Sequence, residues 1–258
     1  MVRLPAMSSD PGASIGQSPG SGARPRAVAV IIPAKDERRR IAATVTAARM
    51  LAGVDLVVVV DDGSGDETAP MAYEAGAVVA RHKRNRGKAA AMETGAALVE
   101  RLEREAGEAP RALLFLDADL EGTAASAGAL IAPVLDDEAD MTIAVLPPQS
   151  RPGGGRGLVV GLSARGIERS TGWTPTQPLS GQRCLTREAL VAALPLARGF
   201  GVETGLSVDL LRRGFRVKEV EVDLQHRVTG TEWRDQVHRA RQYRDVALAL
   251  DARRLRLR

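Results

Sequence analysis

Two aspartates that follow a short apolar run are the residues of this sequence with the clearest chemical use. Asp117 and Asp119 come directly after residues 112–116, a bounded aliphatic run that predicts a buried strand of a parallel sheet. Alternate residues of a strand point the same way, about 6.5 Å apart, so both carboxylates would face the crevice where open α/β sheets bind ligands. Such acids repel each other unless a cation lies between them, and a divalent ion carrying a phosphate fits. The alternative is that they merely cap a helix near Thr123.

Three more polar loops follow predicted strands and would reach the same edge of the sheet. They read PAKDE at residues 33–37, DDGSGDET at 61–68 and NRGKAA at 85–90. In the last loop Lys88 opens a helix behind Gly87, and a helix N-terminus with a lysine suits phosphate oxygens. The chain lacks G-x-G-x-x-G and G-x-x-x-x-G-K-[ST] motifs, which argues against a dinucleotide-binding oxidoreductase and a P-loop NTPase.

The elements that must position these loops alternate between strand and helix, which predicts an α/β fold with a doubly wound, mostly parallel sheet. In the first half we predict strands at 27–32, 56–60, 77–80 and 112–116, and helices at 38–51, 67–75 and 88–104. In the second half we predict helices at 124–135, 158–170 and 202–213, strands at 141–146, 181–185 and 215–224, and a final helix. The glycine-rich segment 147–157 is either a lid or a plain surface loop. The final helix has an apolar stripe that predicts core packing, formed by Trp233, Val237, Ala240, Tyr243 and Ala247.

Composition is typical of one globular domain. The 258 residues are 44% hydrophobic and 26% charged, without 18 uninterrupted apolar residues that would predict a membrane span. One cysteine, Cys184, excludes an internal disulfide and fits a cytoplasmic protein. Residues 1–26 are rich in Gly, Ser, Pro and Ala and predict a disordered extension. We therefore expect a single domain over 27–258, with a ligand-binding half at 27–120 and a second half at 121–258 that ends in the final helix.

The formal charge of +4 does not predict a nucleic-acid partner. Most basic residues are arginines scattered among acids, and aromatic residues, at 3%, leave little material for base stacking. The arginines at 253–258 form a basic end, for which two interpretations stay open: a solvated terminus, or peripheral contact with anionic lipid at a membrane surface.

Several motifs in order resemble a known enzyme family. IIPAKDE, VVVVDDGSGDET, NRGKAAAMETG and LFLDADL resemble the nucleotide-sugar half of the family 2 glycosyltransferases, which have the GT-A fold. PLSGQRCLTREAL, GFGVETGLSVDL and VEVDLQHR resemble the actinobacterial glucosyl-phosphoglycerate synthases of family 81. The likeness spans about residues 27 to 228. It implies a metal-dependent hexosyltransferase that uses a nucleotide sugar, with glucose from UDP-glucose as the expected donor group.

The resemblance also implies a role for each matching donor-site residue. Pro33, Ala34 and Glu37 would line the base and ribose, and Asp62 would contact the uracil. Gly87 and Lys88 would approach the diphosphate, and Asp117 would hold ribose or sugar hydroxyls.

The remaining roles concern the metal and the acceptor. Asp119 and His226 would bind Mg²⁺ or Mn²⁺, and Glu203 would lie between donor sugar and acceptor. For His226 the alternative is an exposed strand-end histidine, and for Glu203 an acid that favours its own helix dipole. Arg156, in the glycine-rich segment, could grip an anionic acceptor.

Departures from the family 81 pattern leave the acceptor open. Gly87, Lys88 and Ala89 stand where G-K-G is expected, and residues 155–158 read GRGL where G-R-V-T-E would receive phosphoglycerate. The acceptor is then 3-phosphoglycerate, another small hydroxy acid, a sugar or polyprenyl phosphate, and a homodimer stays open.

Two other classes of protein fit the sequence less well. A sugar nucleotidyltransferase would want a glycine-rich, arginine-containing loop after the first strand, which residues 34–36 do not supply. A non-catalytic nucleotide-binding module is disfavoured, because the whole set of acids, lysine and histidine is present.

Overall fold

The computed structural model describes residues 25–147, 156–224 and 233–255, which form one seven-stranded sheet with helices on both faces. The strands are β1 (Val28–Ala34), β2 (Val54–Asp61), β3 (Val78–Arg81), β4 (Ala112–Phe115), β5 (Met141–Val145), β6 (Arg183–Leu185) and β7 (Val217–Glu221). The helices are α1 (Ile41–Arg49), α2 (Thr68–Glu74), α3 (Lys88–Ala106), α4 (Ala132–Leu135), α5 (Arg156–Thr171), α6 (Arg187–Ala193), α7 (Val202–Arg212) and α8 (Trp233–Leu255). Of the predicted extension, residues 1–24 lie outside the described residues.

The strands are arranged in the order β3-β2-β1-β4-β6-β5-β7. All pairs are parallel except those of β6, which runs antiparallel to both β4 and β5. The predicted doubly wound, mostly parallel sheet is confirmed. Because β6 starts at the edge where β4 ends, with Arg183 opposite Phe115, residues just before β6 lie beside residues just after β4. This reversal brings the second half of the chain to the predicted site.

Strand β1 is buried on both faces, as its uninterrupted aliphatic sequence predicts. Val30 and Ile32 point to one face and pack with α1, whereas Ala29 and Ile31 point to the other and pack with α3. All four side chains are fully buried. Helices on both faces therefore hold the strand in place.

Helix α3 lies close against the sheet because Gly95 has no side chain. A Cβ at this position would overlap Ile31 Cγ2 of β1 and stand 3.3 Å from Val60 Cγ2 of β2. The helix starts at Lys88 behind Gly87, whose φ of 91° favours glycine. The close approach fixes where the amino end of α3, and with it Lys88, meets the sheet edge.

The structure corrects two predictions about helices in the second half. A 3₁₀ helix (Glu121–Leu130) followed by the short α4 replaces the single predicted helix at 124–135. Glycines in the first segment and Pro133 at the start of the second disfavour one continuous α-helix. Helix α6 was not predicted, although Thr186 caps it by accepting the N–H of Ala189 at 3.2 Å.

The predicted apolar stripe of the last helix is wrong in its register. Tyr243 is 48% exposed, whereas Val246 and Leu250 are buried against α5 and α7, and Ala249 is buried as well. The predicted side chains of Trp233 and Val237 lie outside the described residues.

Arg253 does not belong to a solvated basic end either. It is buried, forms an ion pair with Asp209 of α7, and donates to the carbonyl of Ala249 at 3.0 Å. The side chains of the arginines beyond it lie outside the described residues. No helix in the described part of the chain has the length and apolar character to cross a membrane.

Candidate active site

A cleft of about 910 Å³ opens at the carboxyl edge of the sheet. Its floor is made by the residues after β1 and β4 and by the amino end of α3. Its far wall is made by residues 176–181, the amino end of α5 and the start of α7. The predicted crevice therefore exists, and both halves of the chain contribute to it.

Lys88 occupies the centre of this cleft, between two acids. Its Nζ lies 2.9 Å from Asp117 Oδ1 and 3.0 Å from Glu203 Oε1. Burial would lower the pKa of Lys88, but the charges of both carboxylates and their hydrogen bonds outweigh that effect and raise it above its ordinary value. The ammonium therefore keeps its charge, and it joins a strand end of the first half to a helix of the second.

Asp117 has a second partner, on the other side of its carboxylate. Gln182 is fully buried just before β6 and donates its amide to Asp117 Oδ2 at 2.6 Å. Gly181 makes room for this arrangement, because a Cβ there would stand 2.5 Å from Lys88 Nζ and 3.2 Å from Asp117 Oδ1. The Asp117 carboxylate is therefore held at one oxygen by Lys88 of α3 and at the other by Gln182, just before β6.

Arg183 shapes the wall behind these residues. Its guanidinium is buried and donates to the carbonyls of Ser180 at 2.9 Å and Pro178 at 3.0 Å, and to Ser207 Oγ of α7 at 3.1 Å. Burial lowers the pKa of Arg183 to about 10, with the charge of Glu203 acting in the opposite sense. One side chain therefore ties the turn at 178–180 to the helix that carries Glu203.

Glu203 lies in the first turn of α7, where the helix dipole favours an acid. Its side chain is 10% exposed. The 3₁₀ turn Gly199–Gly201 precedes it, and Asp245 of α8 accepts the N–H of Phe200 in that turn at 3.3 Å. Helix α8 therefore supports the turn from which α7 and its acid begin.

The sequence matches a known protein family over more than half of its length. Residues 29–183 match the family described as Glycosyl transferase family 2. The chain belongs to glycosyl transferase family 2. The matched segment runs from β1 to the start of β6, so it includes Lys88, Asp117 and Asp119 but ends before Glu203.

Relatives with named activities extend the likeness. The glucosyl-3-phosphoglycerate synthase of Mycolicibacterium smegmatis is 32% identical over 205 residues, which cover 73% of this chain and 65% of that enzyme. Glycosyltransferase AglJ of Haloferax volcanii is 30% identical over 213 residues, or 81% and 66% of the two chains. The chain thus spans about two thirds of the length of these relatives.

Solved structures show the same fold. The glucosyl-3-phosphoglycerate synthase of Mycobacterium tuberculosis in complex with Mn²⁺, UDP and glucosyl-3-phosphoglycerate matches with a TM-score of 0.68 and 26% identity, over 88% of this chain and 80% of that one. A complex of the same enzyme with Mg²⁺ and UDP also gives a TM-score of 0.68, at 26% identity over 88% and 79% of the two chains. The predicted GT-A fold and the predicted enzyme class, a nucleotide-sugar-dependent glycosyltransferase, are confirmed.

In this glycosyltransferase most of the predicted donor-site residues reach the cleft. Pro33, Glu37, Gly87 and Asp119 line it together with Lys88, Asp117 and Glu203. Glu37 is held by Arg40, whose Nε donates to its carboxylate at 2.8 Å. Ala34 is 3% exposed and is absent from the described lining, although its carbonyl accepts the N–H of Asp62 at 2.8 Å.

Asp62 faces inward rather than into the cleft. One carboxylate oxygen accepts the N–H of Arg86 at 2.8 Å and the other accepts that of Gly87 at 2.7 Å. His82 lies 2.7 Å from the first oxygen. Burial acts to raise the pKa of Asp62, but these hydrogen bonds outweigh it and leave the pKa lowered. The geometry thus gives Asp62 a place in shaping the loop before Lys88.

Two predicted residues cannot be placed in the cleft. His226 lies outside the described residues, and so does the side chain of Arg156, which is the first residue of α5. The described residues contain no group of three or more His, Cys, Asp and Glu side chains that could hold a metal. The described cleft lining does hold four carboxylates, Glu37, Asp117, Asp119 and Glu203, against two lysines, Lys35 and Lys88.

Sequence reasoning missed four residues that shape the site: Gln182, Arg183, His82 and Asp245. The first two stand in the PLSGQR motif, where a glutamine and an arginine inside the predicted strand at 181–185 were a usable signal. Nothing in the sequence marks the last two, because their partners are far away in the chain.

Proposed function

We propose that this glycosyltransferase moves glucose from UDP-glucose to the hydroxyl of an acceptor, with Mg²⁺ or Mn²⁺ as cofactor. The observation that carries the proposal is Lys88, held between Asp117 and Glu203 in a cleft that Asp119 also lines. A cation at a helix start beside several carboxylates suits a metal–diphosphate and an adjoining sugar. Relatives crystallised with UDP-glucose, Mn²⁺ and phosphoglyceric acid support the same assignment.

In this proposal the first half of the chain binds the nucleotide. Pro33, Ala34 and Glu37 lie at or under the part of the cleft that would receive the base and ribose. Asp62 would act on the nucleotide indirectly, through the loop whose N–H groups it accepts. Gly87 and Lys88 would meet the diphosphate, and Asp117 would bind hydroxyls of the ribose or sugar.

The donor set at the end of β4 fits a hard divalent ion. Asp119 supplies carboxylate oxygen, and the excess of acids over cations in the described cleft favours a positive ligand. Asp119 and His226 would hold the ion, and when bound it would neutralise charge on the diphosphate.

The transfer itself needs charge stabilisation rather than redox chemistry. As the bond between the sugar and UDP breaks, negative charge develops on the β-phosphate, and Lys88 is placed to stabilise it without giving up a proton. Glu203 would border both the donor sugar and the acceptor hydroxyl, at a distance from Lys88 that its ion pair sets.

For the acceptor we propose a small phosphorylated hydroxy acid such as 3-phosphoglycerate. Arg156 would grip its negative charge at the start of α5, and Glu203 would orient its hydroxyl. The support is the likeness to the synthase of Mycobacterium tuberculosis, of which three solved complexes contain phosphoglyceric acid together with Mn²⁺.

One observation favours polyprenyl phosphate as a second candidate acceptor. The far wall of the cleft is apolar where Leu146, Val159, Leu179 and Phe200 line it. An acceptor with a hydrocarbon chain would cover these side chains, whereas phosphoglycerate would leave them in contact with water. This alternative would place the protein at a membrane surface.

A donor and acceptor screen tests both proposals. The protein is incubated with UDP-, GDP- and ADP-sugars and Mn²⁺, with EDTA as control, and hydrolysis and transfer to 3-phosphoglycerate or a short polyprenyl phosphate are followed by mass spectrometry. We expect UDP-glucose to be consumed only with metal, and glucosyl-3-phosphoglycerate to form. Undiminished turnover in EDTA would reject the metal assignment, and product only with the polyprenyl phosphate would select the second candidate.

A further inference from the structure

The loop that leads into Lys88 is held by a buried chain of side chains. Asp62, 5% exposed at the end of β2, uses its two carboxylate oxygens to accept the backbone N–H groups of Arg86 and Gly87. These two residues directly precede Lys88, and Gly87 lines the cleft beside it. A shift of Asp62 would therefore shift the backbone from which α3 and its lysine begin.

His82 lies behind Asp62 and holds it in place. Its Nδ1 is 2.7 Å from Asp62 Oδ1 and its Nε2 is 2.9 Å from Thr94 Oγ1 of α3, with the residue 7% exposed. A carboxylate only accepts hydrogen bonds, so Nδ1 carries the proton towards Asp62, and the threonine hydroxyl can donate to Nε2. The imidazole thus connects the end of β2 to α3 behind the loop.

We propose that His82 is a positioning residue of the donor site, acting through Asp62 on the backbone of Arg86 and Gly87. The inference rests on the proposed function, in which Gly87 and Lys88 meet the diphosphate. Without the imidazole donor, the Asp62 carboxylate stays buried with one hydrogen bond fewer and can turn away from the two amides. The loop then loses its fixed position, which weakens binding of the nucleotide diphosphate.

Two substitutions of His82 distinguish the role of Nδ1 from that of Nε2. In His82→Asn the amide nitrogen can take the position of Nδ1, so the hydrogen bond to Asp62 is kept and that to Thr94 is lost. In His82→Gln the amide can reach the position of Nε2, so the contact with Thr94 is kept and the donor to Asp62 is lost. Thr94→Val removes the nearer of the two groups at Nε2, the other being Arg86 Nη1 at 3.4 Å, leaves the donor to Asp62 in place and serves as the matched control.

We expect His82→Gln to raise the Kd for UDP with Mn²⁺ and the KM for the sugar nucleotide about 10-fold or more, the factor that loss of one hydrogen bond to a charged group produces. The kcat at saturating donor should fall as well, although less than kcat/KM, because the loop also sets the position of Lys88, which stabilises charge that develops in the transition state. His82→Asn and Thr94→Val should bind UDP nearly as the unchanged protein does. Equal affinities for His82→Gln and His82→Asn would overturn the proposal.

Amide hydrogen exchange tests the role of His82 in the loop without any nucleotide. Exchange at Arg86 and Gly87 should accelerate at least 10-fold in His82→Gln but not in His82→Asn, with melting temperatures recorded for both. If the unchanged protein binds no UDP, the proposed function fails, whereas this measurement still decides whether His82 fixes the loop. Unaltered exchange in a folded His82→Gln would reject the positioning role.

Discussion

At the scale of single residues, Lys88 contributes a fixed positive charge that two acids hold from opposite sides of the cleft. Asp117 comes from the first half of the chain and Glu203 from the second, and each lies within 3.0 Å of the ammonium. The lysine keeps the two carboxylates from repelling each other, and under the proposed function it also offers charge to a phosphate.

Replacing Lys88 with alanine should lower kcat/KM by about 2 to 4 kcal/mol in transition-state free energy, as loss of other pre-organised donors does. Lys88→Arg should restore only part, because the planar head is wider and the backbone of Gly181 leaves no room for it. Steady-state kinetics with the best donor would measure both. Lys218→Ala is the control, since it also removes a lysine paired with an acid, Glu138, but at an exposed site. Near-normal rates for Lys88→Ala would mean that Lys88 has no part in the reaction and is only a cation at the start of α3.

Gly181 gives a second prediction at this scale. In Gly181→Ala the new Cβ would stand 2.5 Å from Lys88 Nζ, and the end of a lysine side chain can move away at little cost in stability. We expect kcat/KM to fall by about 10-fold or more while the melting temperature stays within a few degrees. A variant with unchanged kinetics would mean that the position of the ammonium does not matter.

Much of the residue list could be predicted from the sequence, but not its pairing. Strand ends and a helix start marked Asp117, Asp119 and Lys88, because apolar runs and a glycine delimit those elements locally. The contact of Lys88 with Glu203 depends on how the two halves fold together, which no local pattern encodes. The same holds for Gln182, whose reach to Asp117 exists because β6 runs antiparallel to β4.

At the scale of elements, the parallel half of the sheet could be predicted because β1, β2 and β4 contain continuous aliphatic runs that are buried on both faces. The second half was harder. Strand β6 has three residues, too few for a periodic signal to give its direction. Helix α8 carries apolar residues on more than one face, so the buried side was decided by the packing of α5 and α7 rather than by the helix itself.

The packing of α3 on β1 gives a prediction about stability. Gly95→Ala should lower the free energy of unfolding by about 1 to 3 kcal/mol, because overpacking against the buried Ile31 outweighs the better helix propensity of alanine. Gly157→Ala in α5 is the matched control: a Cβ there meets nothing within 4 Å, so the same change should be neutral or stabilising by up to about 1 kcal/mol. Chemical denaturation would compare the two. Equal effects would show that α3 can move away from the sheet.

At the scale of the whole molecule, the single cysteine couples folding to pH. Cys184 is fully buried in β6, and burial raises the pKa of its thiol to about 12. An unfolded thiol ionises at about pH 8.5. Between these values the folded protein keeps a proton that the unfolded chain releases, so stability is fully present below about pH 8.5 and falls as the pH rises towards 12.

Replacing Cys184 should remove the loss of stability at alkaline pH that ionisation of its thiol causes. In Cys184→Ala the decline of unfolding free energy between about pH 9 and 11 should be shallower than in the unchanged protein by up to about 1.4 kcal/mol per pH unit, the slope of one proton. Urea denaturation at a series of pH values would measure the two slopes. A loss of unfolding free energy that is equal at all pH values would report only the small cavity left by the missing sulfur atom. Identical slopes would mean that the thiol is not protected from ionising.

The excess of acids in the cleft has a consequence for the order in which ligands arrive. The four carboxylates of the described cleft lining, Glu37, Asp117, Asp119 and Glu203, outnumber its two lysines, Lys35 and Lys88, so an approaching diphosphate meets a surface of its own sign. Under the proposed function the divalent ion should therefore enter first or together with the nucleotide, never after it. UDP alone should bind weakly, its affinity should rise steeply with the concentration of Mn²⁺, and departure of the metal–UDP pair as one unit should end each turnover.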